Sequence, residues 1–468
     1  MTDRLSALDA SFLYLEEATT PMHVGAVLLF RRPRSGFDYD RLVALIEERI
    51  GLVPRYRQKV RTIPGWLARP VWVDDAEFDI TYHVRRSALP KPGSDNQLHE
   101  LVARLMSRPL DHTRPLWEMN LVEGLARNRV AVVTKTHQAM IDGISAIDIG
   151  QVILDVSSTP RDTREELWMP RPEPSGLELV WDAVSEAVAR PREVVDNART
   201  AALGGLATVR NVAGVLEGVA SAVRTAARPS PGGPLNVPIS TQRRFAIART
   251  RLEDYRIVRR TFGGDVNDVV LAVVAGALRN WLLSRGEAVN VSTTIRAMAP
   301  QSVRVHPGEQ GDGSLLDNRV ASYLVDLPVG ESNPTLRLHH VAHAMRAHKE
   351  SGQSVGADAL VQLGGFAPPT MHSLGARVAS GFSQRIFNLV ITNVPGPQFP
   401  LYSAGAKMLE MYPVVPLAMN QAVSVGITSY DGGLYYGFNA DRDAMADLDV
   451  LASLIEESLA ELLATVPA

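Results

Sequence analysis

The sequence places alternating strand-like and helix-like stretches on both sides of a segment punctuated by prolines. Before that segment, β-rich runs at Val24–Phe30 and Val130–Val133 alternate with helical patterns at Leu42–Ile50 and Leu98–Met106. Apolar residues recur at three- and four-residue steps in helices, whereas short runs rich in β-branched residues favour strands, so the two patterns predict different elements. The alternation from Pro21 to about Leu154 therefore predicts one mixed α/β lobe.

The second half of the chain alternates in the same way and predicts a second α/β lobe. Because clefts between lobes are common places for small-molecule sites, we expect the functional site at their interface. We place the N-terminal lobe at residues 1–158, a connection at 159–239 and the C-terminal lobe at 240–468. The expected C-terminal elements are helices at about Asn267–Ser284, Thr335–Lys349 and Asp447–Leu463, and strands near Val289–Ile295, Val320–Leu327, Ile386–Thr392, Ala422–Ser429 and Leu434–Asn439.

The connection at 159–239 closes with a run of proline, serine and glycine from Pro229 to Pro234. Between Leu206 and Val223, apolar residues recur at steps of three and four, with Arg210 and Arg224 beside them. This spacing predicts an amphipathic helix. Packing on the protein's own surface is the simpler expectation for this helix, and docking on a membrane surface is the alternative.

Composition excludes several classes of function. The 468 residues contain no cysteine, which excludes disulfides, thiolate catalysis and cysteine-ligated metal centres. The net charge of −3 and the lack of a block rich in lysine or arginine argue against a nucleic-acid partner. The N-terminal residues lack the apolar core of a signal peptide, and no run of about 18 uncharged apolar residues occurs. We therefore expect a cytoplasmic protein.

The segment His137–Gly143 is the strongest local candidate for a functional site. Val130–Thr136 is typical of a buried strand and an apolar helical pattern begins at Ile144, so the residues between them form a strand-to-helix turn. Such turns present polar side chains at the edge of a lobe. A helix cap at Asp142 and a permissive backbone at Gly143 would explain the segment equally well, so it does not establish a function alone.

Several further motifs lie in a fixed order around this segment. The motifs before it are Leu8-Asp9-Ala10-Ser11-Phe12-Leu13-Tyr14, Pro21-Met22-His23-Val24-Gly25, Arg108-Pro109-Leu110-Asp111 and Pro115-Leu116-Trp117-Glu118. Those after it are Pro234-Leu235-Asn236, Val266-Asn267-Asp268-Val269-Val270-Leu271-Ala272, Arg296-Ala297-Met298-Ala299-Pro300 and Thr392-Asn393-Val394-Pro395-Gly396-Pro397. Each has an ordinary structural explanation alone, such as a core tryptophan, a helix cap or a rigid turn. In their joint order, over most of the chain, they resemble the bacterial wax ester synthase/diacylglycerol acyltransferase family.

The resemblance implies the two-lobed α/β fold of chloramphenicol acetyltransferase and of peptide-synthetase condensation domains, with mixed sheets and flanking helices. It also implies a tunnel between the lobes that admits long-chain acyl-CoA and an acceptor, diacylglycerol or a fatty alcohol, and yields triacylglycerol or wax ester. Acyl-CoA enters as a substrate, and neither a cofactor nor a metal ion is implied. For such substrates, peripheral association with the inner face of the membrane or with lipid droplets is an alternative to a purely cytoplasmic location.

The sequence departs from the family pattern at the catalytic base. In the family motif His-His-x-x-x-Asp-Gly, the second histidine accepts the proton of the acceptor hydroxyl, and the aspartate braces the turn. His137 aligns with the first histidine, Gln138 with the second, and Asp142 and Gly143 with the final pair. A glutamine amide orients a hydroxyl group but takes up no proton at neutral pH. Loss of a general base typically slows turnover by about 10²- to 10⁴-fold.

Gln138 leaves several interpretations of function open. A slow O-acyltransferase is the leading one, and a homologue that binds acyl-CoA or neutral lipid without turnover is the alternative; a deliberately inactivated variant has the same signature. His137 replaces the base only if the turn is twisted, because neighbouring side chains on extended backbone point to opposite sides. Condensation on a carrier-protein thioester is less favoured, since no carrier-domain pattern is present.

Two other segments contain residues that occur in known metal or phosphate sites, but the residues around them do not fit such sites. His339, His340 and His343 include a pair at helical spacing that suits a metal ion, but no Asp-Gly pair follows, and we expect a partly solvated helix face. The glycines at 307–313 lack the lysine and the strand–loop–helix setting of a phosphate-binding loop. We expect a mobile loop there.

Overall fold

The computed structural model describes residues 3–34, 36–64, 68–141, 149–161, 168–189, 232–304, 318–351 and 387–467. The N-terminal strands are β1 (Asp3–Arg4), β2 (His23–Arg31), β3 (Gln58–Arg61), β4 (Val71–Asp74), β5 (Val84–Ala88), β6 (Trp117–Leu125) and β7 (Arg129–His137). The helices among and after them are α1 (Ala7–Leu15), α2 (Tyr39–Arg49), α3 (Ile80–His83), α4 (Asp95–Met106), α5 (Ile149–Val152) and α6 (Gly176–Ala189). Short 3₁₀ turns occur at Ile50–Leu52, Pro54–Arg57 and Gln138–Met140.

The C-terminal part of the chain contributes eight further strands and four further helices within the described residues. The strands are β8 (Arg243–Arg251), β9 (Ile295–Arg304), β10 (Asn318–Leu327), β11 (Leu389–Pro395), β12 (Tyr402–Ser403), β13 (Ala406–Val414), β14 (Val423–Tyr430) and β15 (Gly433–Asp441). The helices are α7 (Leu252–Phe262), α8 (Val266–Ser284), α9 (Pro334–Ser351) and α10 (Leu448–Leu463).

Two six-stranded mixed sheets form the framework of the described residues. The N-terminal sheet has the strand order β12-β13-β2-β7-β6-β5, and the C-terminal sheet has the order β10-β9-β11-β14-β15-β8. β5 is parallel to β6, and β11 is parallel to both of its neighbours, β9 and β14. β12 and β13 lie within the predicted C-terminal segment 240–468 but belong to the N-terminal sheet, so the spatial lobes are not continuous in sequence.

Helix α8 is the central helix of the C-terminal lobe. Its residues from Asp268 to Leu278 are buried without interruption, because the sequence is apolar on nearly all sides. The backbone N–H of Asp265 donates to the carboxylate of Asp268 at 2.8 Å and completes a capping box at the helix start. Its length and hydropathy would also suit a membrane span, but 72% of the apolar stretch is buried inside the protein, as expected of a core helix.

Strand β13 joins the two lobes, because it pairs with β2 in the N-terminal sheet and also packs against β14 and β15 of the C-terminal sheet. Two glycines permit this close approach. A Cβ atom on Gly437 would lie 1.9 Å from the carbonyl oxygen of Pro413, and one on Gly426 would lie 2.8 Å from the Pro413 side chain. A side chain at either position would push β13 away from the C-terminal sheet.

Most elements predicted from the sequence are confirmed within a few residues, but the strand predicted near Val289–Ile295 is wrong over most of its length. β9 begins only at Ile295. The Asn290 side-chain oxygen accepts the backbone N–H of Ser292 at 3.0 Å, and the Asn290 carbonyl accepts that of Thr293 at 2.9 Å. This turn outweighs the β-branched residues that suggested a strand. The predicted helix near 206–223 and the predicted loop at 307–313 lie outside the described residues.

The histidine-rich part of α9 is a solvated helix face, as predicted, because His339, His340 and His343 are exposed. Arg337 on the same helix turns inward instead. Its Nη2 lies 2.8 Å from Glu461 of α10, and its side chain is 2% exposed. The exposed histidines therefore lie on the outer side of this helix pair.

A buried ion pair anchors the start of the connection between the lobes. Arg49 Nη2 lies 3.0 Å from Asp155 Oδ2, with exposed side-chain fractions of 0% and 4%. Arg49 Nη1 also donates to the Val152 carbonyl at 3.0 Å, and the backbone of Asp155 pairs with that of Tyr402 in β12. Helix α2, the residues just before the connection and β12 therefore meet at one charged contact.

Asp155→Ala should lower the free energy of unfolding by about 3–5 kcal/mol, because it leaves the Arg49 guanidinium buried without its carboxylate. Urea denaturation followed by circular dichroism measures this change. Glu253→Ala is the matched control, since Glu253 forms an exposed pair with Arg260 at 2.6 Å, and it should cost less than about 1 kcal/mol. A cost for Asp155→Ala no larger than that of the control would contradict the anchoring role.

Candidate active site

Strand β7 ends at His137, the first residue of the predicted motif, at the interface between the lobes. Its register with β2 places Thr136 opposite Val24 and His137 opposite His23. Directly opposed residues share a face of the sheet, and successive residues alternate between the two faces. Thr136 and His137 therefore lie on opposite faces.

The Thr136 face borders a cavity of about 190 Å³ between the lobes. Its walls come from β2 and β7 of the N-terminal sheet, β11 and β14 of the C-terminal sheet and the joining strand β13. Small-molecule pockets typically measure about 300–1,000 Å³, so this cavity accommodates part of a large ligand. The residues that line it include Val24, Thr136, Thr392, Thr428, Met411 and Pro413, with at least one from each of these strands.

Gln138 directly follows β7 and is not among the residues that line the cavity, but strand alternation assigns it to the same side of the chain as Thr136. The backbone is extended through His137, where φ is −67° and ψ is 140°, so position 138 projects on the same side as Thr134 and Thr136. The Gln138 N–H donates to the Met22 carbonyl at 2.9 Å, and a 3₁₀ turn begins there. Side chains at 137 and 138 are therefore directed to opposite sides of the strand.

The imidazole of His137 lies on the far side of β7 and is 0% exposed. Its Nε2 is 3.5 Å from Glu16 Oε2, and His112 Nε2 is 2.6 Å from the same oxygen. The other carboxylate oxygen of Glu16 accepts the backbone N–H of Met22 at 3.1 Å. One carboxylate at the end of α1 therefore joins His112, His137 and the loop before β2.

Hydrogen bonding fixes the tautomer of His137. Its Nδ1 accepts the backbone N–H of Ala139 at 3.0 Å, so the ring hydrogen lies on Nε2, toward Glu16. Glu16, His112 and His137 offer ligand atoms within 4.8 Å of one another, a spacing that suits a metal ion. A metal ion on Nε2 would require the ring hydrogen on Nδ1, directly against the Ala139 N–H. The cluster thus places one carboxylate between two imidazoles, with the shorter nitrogen–oxygen distance to His112.

The Glu16 carboxylate is held in its charged form. Burial raises the pKa of Glu16, but hydrogen bonds and charge interactions with His112 and His137 outweigh burial and lower the pKa well below its usual range. The hydrogen bond to Glu16 in turn raises the pKa of His112 against the opposing effect of burial. The side chain of His112 is 47% exposed and so remains in contact with solvent.

Two further groups on this side of the sheet close the last turn of α4. Lys135 is 1% exposed, and its Nζ donates to the Leu105 carbonyl at 3.2 Å and to that of Arg108. Burial lowers the pKa of Lys135 to about 8. His23 Nε2 lies 3.0 Å from the Met106 carbonyl oxygen. These groups hydrogen-bond carbonyls at and just beyond the C-terminal end of α4.

The Pro115-Leu116-Trp117 motif supports the end of β7 from the core. Pro115 and Leu116 are buried, and the His137 N–H donates to the Leu116 carbonyl at 2.9 Å. Trp117 is 0% exposed, and its Nε1 donates to the Tyr56 carbonyl at 2.8 Å. Its ring stacks on His83 with centroids 4.7 Å apart. This motif therefore positions β7 from within the N-terminal lobe.

The C-terminal motifs meet beside the cavity. Asn393 Nδ2 donates to Asn267 Oδ1 at 3.0 Å and joins β11 to the start of α8, where Asp268 forms the cap. Thr392, the neighbour of Asn393 in β11, lines the cavity. Gly396 lies in the same motif, and a Cβ atom there would lie 2.3 Å from the Ser429 carbonyl oxygen. These residues shape the C-terminal wall of the cavity.

Sequence reasoning did not identify Glu16 and His112. Glu16 lies just after the Leu8–Tyr14 motif, and His112 lies between the motifs that begin at Arg108 and Pro115. Their position beside these motifs is the one sequence feature that could have indicated a role for Glu16 and His112. Asp142 and Gly143 lie outside the described residues, so their roles stay predictions.

Family comparisons agree with the motifs. The family model for the wax ester synthase/diacylglycerol acyltransferase catalytic domain matches residues 5–270, and the model for the WS/DGAT C-terminal domain matches residues 316–463. The chain belongs to this family. A relative named probable diacylglycerol O-acyltransferase tgs1, from Mycobacterium tuberculosis, is 35% identical over 99% of this chain and 96% of its own length.

Solved structures confirm the predicted fold of this family member. The wax ester synthase/diacylglycerol acyltransferase from Marinobacter aquaeolei VT8 has a TM-score of 0.69 and 27% identity, with coverage of 98% of both chains. The first condensation domain of the calcium-dependent antibiotic synthetase has a TM-score of 0.58 and 15% identity, and it covers 100% of this chain and 97% of its own. The two-lobed α/β acyltransferase fold is therefore shared with both.

His112→Gln should destabilise the protein more at about pH 6 than at about pH 9. Glu16 raises the pKa of His112, so the folded state binds this proton more tightly than the unfolded state. The resulting stabilisation is complete below the unfolded pKa of about 6.5 and is lost as pH rises through the higher folded-state pKa.

The contribution of Glu16, whose pKa is lowered, is present above about pH 4.3 and is lost as pH falls, so it does not change between the two conditions. Urea denaturation of the parent protein and the variant at both pH values gives the difference in free energy of unfolding. Equal differences at both pH values would show that His112 and Glu16 are not coupled in this way.

Proposed function

We propose that this protein transfers a long-chain acyl group from acyl-CoA to diacylglycerol or a fatty alcohol, to give triacylglycerol or wax ester. Family membership over most of the chain supports the reaction type. The name of the tgs1 relative supports diacylglycerol as acceptor. The observation that carries the proposal is the end of β7, where Thr136 lines a cavity built from both lobes and position 138 follows on the same side by strand alternation.

The reaction joins the acceptor hydroxyl oxygen to the thioester carbonyl carbon and breaks the carbon–sulfur bond. The hydroxyl proton ends on the released thiol of CoA. The amide of Gln138 is placed to hydrogen-bond the acceptor hydroxyl but does not take up its proton. Turnover then depends on the positioning of the two substrates, and we expect it to be about 10²- to 10⁴-fold slower than with a histidine base.

His137 does not supply the missing base in this geometry. Its side chain lies on the face of β7 away from the cavity, where Nε2 faces Glu16. Its Nδ1 is occupied by the Ala139 N–H. Neither nitrogen is placed to accept a proton from an alcohol in the cavity.

Binding of acyl-CoA or neutral lipid without turnover is the second candidate, and Gln138 is the observation that favours it. The cavity, the joining strand and the contact between Asn267 and Asn393 are all present. These features serve ligand binding whether or not a base is available. The two candidates therefore differ only in whether the bound substrates react.

We also propose that acyl-CoA enters as a substrate and that the transfer uses no metal or redox cofactor, since none of its steps requires one. Diacylglycerol and long-chain alcohols partition into lipid phases. A cytoplasmic protein that acts on them would meet its acceptor at the inner face of the membrane or at the surface of a lipid droplet. Peripheral association with such a surface is therefore part of the proposal.

Gln138→His should increase the rate of acyl transfer about 10²- to 10⁴-fold, because it restores a group that accepts the hydroxyl proton beside the cavity. The assay follows labelled palmitoyl-CoA with dioleoylglycerol or hexadecanol as acceptor and separates the products by thin-layer chromatography. Gln138→Asn is the matched control, since it keeps an amide and adds no base. It should not increase the rate.

The outcomes separate the candidates. Product from Gln138→His but none from the parent protein would support lipid binding without turnover. Parent activity that disappears in His137→Ala, with folding and lipid binding unchanged, would show that His137 is the base and that its placement away from the cavity is wrong. No product from any variant, including Gln138→His, would contradict acyl transfer to these acceptors.

A further inference from the structure

Two threonines that line the cavity have side-chain hydroxyl groups without a hydrogen-bond partner among the described residues. Thr136 belongs to β7 of the N-terminal sheet, and Thr392 belongs to β11 of the C-terminal sheet. Within the described ranges, neither side chain forms a hydrogen bond. Thr136 is only 3% exposed, so bulk solvent offers it little compensation. Each lobe therefore contributes one unused hydroxyl group to the same cavity.

The other two threonines of the cavity are engaged within their own sheets. Thr428 Oγ1 donates its hydrogen to the Val394 carbonyl at 2.8 Å. Thr134 Oγ1 accepts the backbone N–H of Ala26 at 3.1 Å. These two contacts explain why threonine suits positions 134 and 428 without reference to a ligand. No equivalent contact within the described ranges explains Thr136 or Thr392.

The surroundings of these hydroxyl groups are mostly apolar. Val24, Met411, Pro413 and Ile427 line the same cavity. A buried hydroxyl group without a partner is unfavourable, and a few polar groups in an apolar pocket usually fix the orientation of a ligand. A ligand whose hydrogen-bond acceptors reach these hydroxyl groups would satisfy both threonines.

The position of Thr136 relative to Gln138 indicates which ligand group it meets. Residues two apart on one side of a strand are separated by about 6.6 Å, at about 3.3 Å per residue. In a diacylglycerol, the free hydroxyl group and the nearest ester carbonyl are separated by a few bonds of about 1.2–1.5 Å, a span on the order of 5 Å. A hydroxyl group held at Gln138 would thus place an ester carbonyl near Thr136.

We propose that Thr136 and Thr392 bind the ester carbonyl of a glyceride acceptor and so favour diacylglycerol over a fatty alcohol. The proposal rests on the proposed function, because it places the acceptor hydroxyl at Gln138. A fatty alcohol presents only methylene groups at this distance from its hydroxyl. It leaves both threonines without a partner, and a site with unpaired polar groups rejects such a ligand.

Equilibrium binding tests this selectivity without requiring turnover. A diacylglycerol and a fatty alcohol that carry the same fluorescent label are titrated in detergent micelles against the parent protein, Thr136→Val, Thr392→Val and the double variant. Valine keeps the branched shape and removes the hydroxyl group. Each single substitution should raise the Kd for the diacylglycerol about 2- to 10-fold, the double variant should raise it further, and the Kd for the fatty alcohol should change less than about 2-fold.

Thr428→Val is the matched control, since it removes a hydroxyl group from the same cavity that is already bonded to the Val394 carbonyl. It should shift both dissociation constants together and leave their ratio unchanged. Thr136→Val and Thr392→Val variants that also shift both constants together, or shift neither, would overturn the proposal. A parent protein that binds neither lipid, or binds the fatty alcohol more tightly, would overturn it as well.

The acyl-transfer assay shows whether a negative result refutes the role of the two threonines or the proposed function. Selective loss of diacylglycerol binding, together with no product from Gln138→His, would retain glyceride recognition and refute acyl transfer. Product from Gln138→His with an unchanged ratio of dissociation constants in the threonine variants would retain acyl transfer and refute the role of Thr136 and Thr392.

Discussion

The pairing of β13 with β2 is the contact on which the arrangement of the two lobes depends. Residues 406–414 follow most of the C-terminal lobe in the chain, yet they extend the N-terminal sheet and pack against β14 and β15. Gly426 and Gly437 allow this approach because neither adds a side chain beside Pro413. The two sheets are thereby held together along β13, and the cavity lies where their strands converge.

Because side chains alternate along β7, the polar residues at its end lie on two different sides of the strand. Thr136 lines the cavity and position 138 follows on the same side by strand alternation, whereas His137 lies against Glu16 and His112. Glu16 also accepts the Met22 N–H, and the Met22 carbonyl accepts the N–H of Gln138, so the same carboxylate supports the turn. A histidine on the buried side holds the strand end, and the residue on the cavity side decides whether a proton is transferred. Gln138 therefore affects chemistry while the framework around it is preserved.

The sequence predicted those parts of the molecule that local patterns encode. Helix α8 was predictable because its apolar run is long and begins at a capping residue. β13 was not predicted, since its pairing with β2 shifts at a bulge between Met408 and Glu410 and its partner is distant in the chain. Motif order identified the family, and the change from a strand pattern to a helix pattern predicted the turn at His137. Glu16 and His112 were not predicted, because the cluster of Glu16, His112 and His137 takes one residue from each of three separate segments and forms only on folding.

The absence of native cysteine allows a direct test of the sides on which residues 137 and 138 lie. A cysteine introduced by Gln138→Cys or by His137→Cys would be the single thiol of the protein. The rate of its modification by a small methanethiosulfonate reagent is measured with and without palmitoyl-CoA. Gln138→Cys should react rapidly and be protected by palmitoyl-CoA, and His137→Cys should react slowly with no protection. Rapid, ligand-protected modification of His137→Cys, with a slow reaction at position 138, would contradict the assignment of the two residues to opposite sides of β7.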